Sequence, residues 1–257
     1  MKERLIEIPT ASGAMETFVA APSENEPFPA VIIYMDIWGL REELFDVARR
    51  VATVGYYCVV PDLFYRQGRI RNEIRNDKNQ MISFALLNAD QQKLVLAPHG
   101  KLSDAMVLED TLSIIEFLDA GEPVRSAPVG CIGYCMGGRL VLRVAGHFPH
   151  RFKVSACLHG SNLVTDRSDS PHLSAAKAEG ELYCGFAELD PFASAEVIRT
   201  MGDAMRNAKA KYRYELHRAV DHGYALPERD IYNKSAANRD WEIVFAMFRR
   251  QLRPSAP

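Results

Sequence analysis

Val129-Gly-Cys-Ile-Gly133-Tyr-Cys135-Met-Gly137-Gly138 is the stretch on which the reading of this chain turns. An apolar run leads into Gly-x-Cys-x-Gly, and a helical pattern over residues 136–146 begins at once. This is the pattern of a nucleophile elbow with cysteine in the reactive position. Its glycines have a steric reason. The turn is so tight that side chains two residues either side of the nucleophile would collide with their neighbours. The start of a helix also favours thiolate over thiol, because its partial positive end lies beside the sulfur. The same glycines could merely pack a strand against a helix and leave Cys135 inert. The position of the motif, mid-chain between a buried strand and a helix, favours chemistry.

Outward from this segment the chain alternates. Upstream, Leu5–Ile8 and Glu16–Val19 alternate as short strands around a Ser12-Gly13 turn, and Ala30–Met35 is a continuous apolar run suited to burial on both faces. Leu44, Val47, Ala48 and Val51 then share a helical face that Gly55 ends, and Tyr56–Val60 reads as the next strand. Residues 62–100, rich in Arg, Asn, Asp and Gln, read as an excursion with a short helix around 80–89. Ser103 is the expected N-cap of a helix whose inner face carries Leu108, Leu112, Ile115 and Leu118, with Gly121 and Pro123 as its stop. Downstream come strands 153–158 and 181–187, a helix near 193–207, strand 211–217 and a last helix carrying Trp241, Val244, Phe248 and Leu252. Strands alternating with amphipathic helices predict one α/β domain over residues 1–257. Its central sheet is mostly parallel and covered on both faces, with reactive groups at the carboxyl ends of the strands.

Composition narrows the function classes. The chain has 257 residues, 47% of them hydrophobic, with 31 basic and 33 acidic side chains and a formal charge of −2. That near-balance offers no broad field for a phosphate backbone or an anionic membrane, so nucleic acid is not an expected partner. The N-terminal ten residues, MKERLIEIPT, lack the apolar run of a signal peptide. No stretch approaches the ~18 uninterrupted apolar residues of a membrane span. Five scattered cysteines, four of them within apolar strand-like runs, suggest a reducing cytoplasm.

A cysteine nucleophile needs a base, and the base an orienting acid. In hydrolases with this elbow the acid follows the nucleophile and the histidine comes last. Glu188-Leu-Asp190-Pro191 leaves the strand 181–187, and Asp221-His222-Gly223 follows the strand 211–217. Asp190 and His222 therefore occupy the expected places. Asp166 and Asp169 compete for the acid's role, while Asp221 adjoins His222 and is poorly placed to orient it. His217 reads as a strand residue, and His147 and His150 as a helix end. The loop Asp36-Ile37-Trp38-Gly39 follows a strand, so the backbone N–H groups of Ile37 and Met136 are the candidate oxyanion donors.

These residues resemble the dienelactone hydrolase (carboxymethylenebutenolidase) family of the α/β-hydrolase fold. The likeness is carried by Asp36-Ile-Trp-Gly-Leu40, Pro61-Asp-Leu-Phe-Tyr-Arg66, Gly133-Tyr-Cys-Met-Gly-Gly138, Asp190 after a strand and His222-Gly-Tyr224, over about residues 5–252. The resemblance implies a Cys-His-Asp hydrolase without cofactor or metal, acting on a lactone that carries a carboxylate. It makes Cys135 the nucleophile and Asp190 and His222 its partners. It also makes Arg66 the holder of the substrate carboxylate, through charge-assisted bidentate pairing, with Asp36, Trp38, Tyr134 and His159 as further substrate contacts. Two positions depart from the family. Asp36 stands where glutamate is frequent and pairs with the cysteine in the empty site. Leu226 stands four residues after the histidine, where a second arginine is expected, with Arg229 close by but out of alignment.

Three functions compete: a hydrolase of a carboxylate-bearing lactone, a general carboxylesterase or thioesterase on the same scaffold, and a non-catalytic relative that binds a small molecule. In each the partner is a small molecule, and the protein itself is a monomer or small homo-oligomer.

Overall fold

The computed structural model describes residues 1–23, 27–120 and 124–252. The chain opens with a hairpin of β1 (Lys2–Thr10) and β2 (Gly13–Ala21), paired antiparallel. Then follow β3 (Phe28–Tyr34), α1 (Glu42–Ala52) and β4 (Tyr57–Pro61). The 62–100 excursion ends in α2 (Ala89–Gly100) and leads to α3 (Asp104–Asp119). The second half runs β5 (Val124–Tyr134), α4 (Met136–His147), β6 (Phe152–Leu158) and the short α5 (Pro171–Ala175). It finishes with β7 (Glu181–Ala187), α6 (Ala195–Asn207), β8 (Tyr212–His217) and α7 (Lys234–Leu252).

The eight strands form one sheet in the order β1-β2-β4-β3-β5-β6-β7-β8. Only the β1–β2 and β2–β4 pairings are antiparallel; from β4 onward the sheet is parallel. This is the α/β-hydrolase architecture that the alternation predicts. The continuous apolar runs of β3, β4 and β5 are buried because helices cover both faces. On one face α7 packs against β5 and against α1, where the Arg50 guanidinium lies 4.5 Å from the Trp241 ring centre. On the other, α4 packs against β5 and β6 and joins α5 and α6 over β7.

The structure corrects two helix expectations. In the excursion the helix spans Ala89–Gly100 rather than 80–89; residues 84–86 form only a single 3₁₀ turn. Asn88 and Gln91 cap α2 reciprocally, each side chain bonding the other's backbone N–H. Its apolar residues are spread around the axis, so periodicity gives no signal. In α3, Ser103 caps as expected through a 3.2 Å bond from the Met106 N–H. The buried face, however, is Val107, Asp110, Thr111, Ile114, Ile115 and Leu118, and Leu112 is exposed. Asp110 turns inward because Arg66 and Tyr65 satisfy its carboxylate. The helix stop expected at Gly121 and Pro123 lies outside the described residues. Among the described residues no helix is long and apolar enough to cross a membrane.

Candidate active site

Cys135 sits at the carboxyl end of β5 with φ 53° and ψ −112°, a left-handed conformation that costs a non-glycine residue on the order of 1–3 kcal/mol. Hydrogen bonds hold it there: its N–H donates to Leu158 O (3.1 Å), and its carbonyl accepts from Ser161 (3.2 Å) and Arg139 (3.3 Å). The flanking glycines are obligatory. A Cβ on Gly133 would lie 2.1 Å from Gly137 O, and one on Gly137 would lie 2.2 Å from Tyr34 O. Met136 is the first residue of α4, so its N–H has no preceding turn to bond.

Asp190 and His222 arrive on neighbouring loops after β7 and β8. The loops are fastened to each other: Glu188 N–H donates to His217 O (3.0 Å) and Leu189 N–H to Val220 O (2.9 Å). His222 Nδ1 donates to Asp190 Oδ2 at 2.7 Å, and Asp190 Oδ1 accepts the Phe192 N–H at 2.8 Å. The Asp190 carboxylate is buried and both its oxygens are engaged, which orients the ring. His222 Nε2 is buried and takes no hydrogen bond from the described residues. Burial opposes charge on this imidazole, but its interactions with Cys135 and with the Asp190 carboxylate overcome it and raise the pKa to about 10. The ordinary histidine value is about 6.5. Charging of His222 therefore contributes stability that is complete below about pH 6.5 and is lost as pH climbs through about 10. An NMR titration should find the His222 ring still imidazolium at pH 8, and Cys135→Ala should bring its midpoint down. A midpoint near 6.5 in the unmodified protein would contradict this.

His159 lies behind His222, with ring centres 5.1 Å apart edge to face, and its own ring sits between those of Tyr134 (5.9 Å) and Tyr224 (5.4 Å). Burial, then the nearby charges of His222 and Arg229, push its pKa well below the usual histidine range, so it is a neutral packing surface.

A cavity of about 660 Å³ opens over these groups, lined by Cys135, His222, Asp36, Ile37, Trp38, His159 and Arg229 among others. Of the residues expected at the site, Asp36, Ile37, Trp38 and His159 reach this cavity beside Cys135 and His222. Asp190 stands behind His222, and Met136 is buried beneath the elbow. Two expected contacts are not there. Arg66 is held elsewhere: Nη1 and Nη2 each donate at 2.8 Å to Asp110, with the guanidinium over the Tyr65 ring. The Pro61–Arg66 segment thus ties the end of β4 to α3, the buried Asp110 carboxylate pairing with the guanidinium through both its oxygens. Tyr134, fully buried, turns away from the cavity into the core.

Asp36 reaches the cavity but is not free to pair with sulfur. Arg41 donates to both its oxygens (2.7 and 2.9 Å) and to Glu43 (2.7 Å), and Asp36 Oδ1 also accepts the Trp38 N–H (3.0 Å). Glu43 in turn accepts the Glu228 N–H (2.7 Å). This buried cluster joins the Ile37 loop to the segment bearing Arg229. Sequence patterning misses it, because the three charges come from a loop, a helix cap and a first helical turn rather than from one face of an element. Arg229 is buried against Trp38, its guanidinium 4.7 Å from the ring centre, and makes no side-chain hydrogen bond among the described residues. Ser161 also lines the cavity, its Oγ 4.0 Å from Cys135 Sγ. No sequence signal singles it out.

Residues 15–252 match the Dienelactone hydrolase family. This chain belongs to the dienelactone hydrolase family. It is 28% identical over 256 residues to a Saccharolobus solfataricus protein named "Putative carboxymethylenebutenolidase", covering 92% of this chain and 94% of that one. A Synechocystis protein of the same name is 26% identical, with 98% of each chain covered. Among solved structures, a "Putative Dienelactone Hydrolase" from Klebsiella pneumoniae superimposes with a TM-score of 0.83 at 24% identity, covering 96% of this chain and 98% of the other. A dienelactone hydrolase from Anabaena variabilis gives 0.67 at 12% identity, covering 98% and 99%. Both share the α/β-hydrolase fold. Family membership makes this chain a dienelactone hydrolase-like carboxylic ester hydrolase.

Proposed function

We propose that the protein hydrolyses a carboxylate-bearing ester or lactone with Cys135 as nucleophile, His222 as acid–base and Asp190 as its orienting acid. The observation that carries this reading is the His222–Asp190 bond of 2.7 Å beside a cysteine held in a strained elbow at a helix start. The Cys135 thiolate attacks the carbonyl carbon, and the oxygen's developing charge is met by the N–H groups of Ile37 and Met136. The imidazolium of His222 gives its proton to the departing alkoxide as the C–O bond breaks, leaving a thioester on Cys135. Neutral His222 then takes a proton from water as the water oxygen attacks that thioester. Expulsion of the thiolate restores the His222–Cys135 ion pair and releases the acid.

The anionic preference follows from Arg229, a buried cation in the cavity wall without a hydrogen-bonded carboxylate. One desolvated guanidinium–carboxylate contact is worth roughly 1.5–3 kcal/mol, or about 10- to 150-fold in kcat/KM. The test is ring opening of a lactone carrying a free carboxylate compared with its methyl ester. Arg229→Ala should collapse the preference for the acid by that factor, while Arg66→Ala should leave the ratio unchanged. A ratio indifferent to Arg229 would favour the general esterase reading, to which Leu226 in the cavity wall also lends itself.

A further inference from the structure

The cavity lining is chemically mixed. Asp36 and Arg229 line it beside Ile37 and Trp38, and Asp221 lines it next to His222. Phe84, Leu86 and Leu96 with Leu189, Pro191 and Phe192 supply an apolar wall. Much of that wall is open to solvent: Leu86 is 72% exposed, Leu189 55%, and Leu96 and Phe192 42% each. Apolar side chains gathered at one mouth mark a binding groove more often than a neutral surface. The volume, about 660 Å³, lies in the range that encloses drug-sized ligands. The wall is also preformed. Ser83 N–H donates to Asp230 at 3.0 Å and Met81 N–H to Glu228 O at 2.8 Å, pinning the excursion to the segment that carries Arg229. Beneath it Trp38, Met81, Leu87 and Val95 make a small core of their own.

The direction of the substrate follows from proton transfer. The leaving oxygen must face His222, and the Phe192 ring stands edge to face on that imidazole with centres 5.2 Å apart. Leu189 and Phe192 flank Asp190 on the same loop. The alcohol half of an ester therefore emerges against the apolar wall, while a carboxylate on the acyl half points back to Arg229.

We propose that the substrate class is an amphipathic half-ester: a short acyl group bearing a carboxylate, joined to an alcohol with an apolar limb that lies along Leu189, Phe192, Leu86 and Leu96. This rests on the hydrolase reading above and narrows it.

Monoalkyl esters of one short dicarboxylic acid, from methyl to octyl, test it. The full chain should show kcat/KM rising about two- to fourfold per methylene until the wall is covered, the scale set by burying one methylene. Methyl monoesters of lengthening dicarboxylic acids should show no such rise. The double variant Leu86→Ser/Leu189→Ser should flatten the alkyl slope, which is read independently of the absolute rate. A flat alkyl series with the methyl ester still hydrolysed, or a rise with the acyl chain instead, overturns the limb and leaves the hydrolase reading standing. Failure to turn over any member overturns both. A slope unchanged in the double variant, with a dimer converted to monomer, would assign the wall to a second copy of the chain and overturn the limb.

Discussion

His222→Ala is expected to lower kcat/KM for ester hydrolysis by about four to six orders of magnitude, the scale on which triads lose rate when one member is removed. On the proposed mechanism two functions vanish together: the proton for the leaving alkoxide and the counter-ion of the thiolate. Asp190 would be left buried without its 2.7 Å partner. Alkylation separates this loss from misfolding. In the unmodified protein iodoacetamide should label Cys135 first, because it alone of the five cysteines is not buried. Burial raises the thiols of Cys58 and Cys131, the latter to about 12, and Cys184 is shut in the core. In folded His222→Ala the labelling of Cys135 should slow, since the imidazolium beside it is gone. Circular dichroism would establish folding. A folded variant with near-normal turnover ends the case for His222 as base; early label on Cys58 or Cys184 ends the case for Cys135.

Asp240→Ala is expected to produce the largest loss of stability. Asp240 is buried on α7 and accepts from three side chains: the Tyr183 and Tyr224 hydroxyls, and His217 Nε2 at 2.7 Å. Alanine would leave two buried hydroxyls and the part-buried His217 ring without their acceptor. A buried donor left unsatisfied costs about 1–3 kcal/mol, so losing the shared acceptor should cost about 3–5 kcal/mol in all, or roughly 10 °C in Tm for a chain of this size. Asp240→Asn keeps one acceptor and should lose less. Tyr224 packs on His159, and His159 on His222, so Asp240→Ala should also lower activity modestly while the protein remains folded. Chemical denaturation with the enzyme assay run alongside reads both effects; a loss below about 1 kcal/mol would show that water satisfies those donors.

Helices whose apolar residues keep helical spacing are legible in the sequence almost to their ends. Trp241, Val244, Phe248 and Leu252 all lie buried on α7, and the one-sided apolar pattern of α1 is buried as its spacing requires. The strands of the parallel sheet are legible for a related reason: burial on both faces demands an unbroken apolar run, as in Ala30–Tyr34. The excursion is not. Its helix is held by a capping box and a small core of distant residues, and neither leaves a periodic trace.

For the candidate site, local sequence suffices wherever local sterics dictate the residue. Gly133 and Gly137 are required by backbone atoms 2.1 and 2.2 Å from where a Cβ would stand, and these clashes arise from the turn itself and its packing on β3. That is why the amino-acid pattern alone singles out Cys135, and the order of loops after β7 and β8 then points to Asp190 and His222. Which arginine faces the cavity cannot be read in this way. The amino-acid order points to Arg66, with Arg229 out of alignment, but a guanidinium goes where its charge is best compensated. Asp110, 44 positions from Arg66, claims it bidentately, and Arg41 claims Asp36. Arg229 is left over Trp38 without a carboxylate hydrogen-bonded to it. The sheet, the elbow and the order of the reactive residues follow from periodicity and chain-local packing, so the amino-acid order is enough to specify them. Which charges cancel one another, and which one is left to face the cavity, depends on pairings between residues far apart in the chain, and those pairings exist only once the chain has folded.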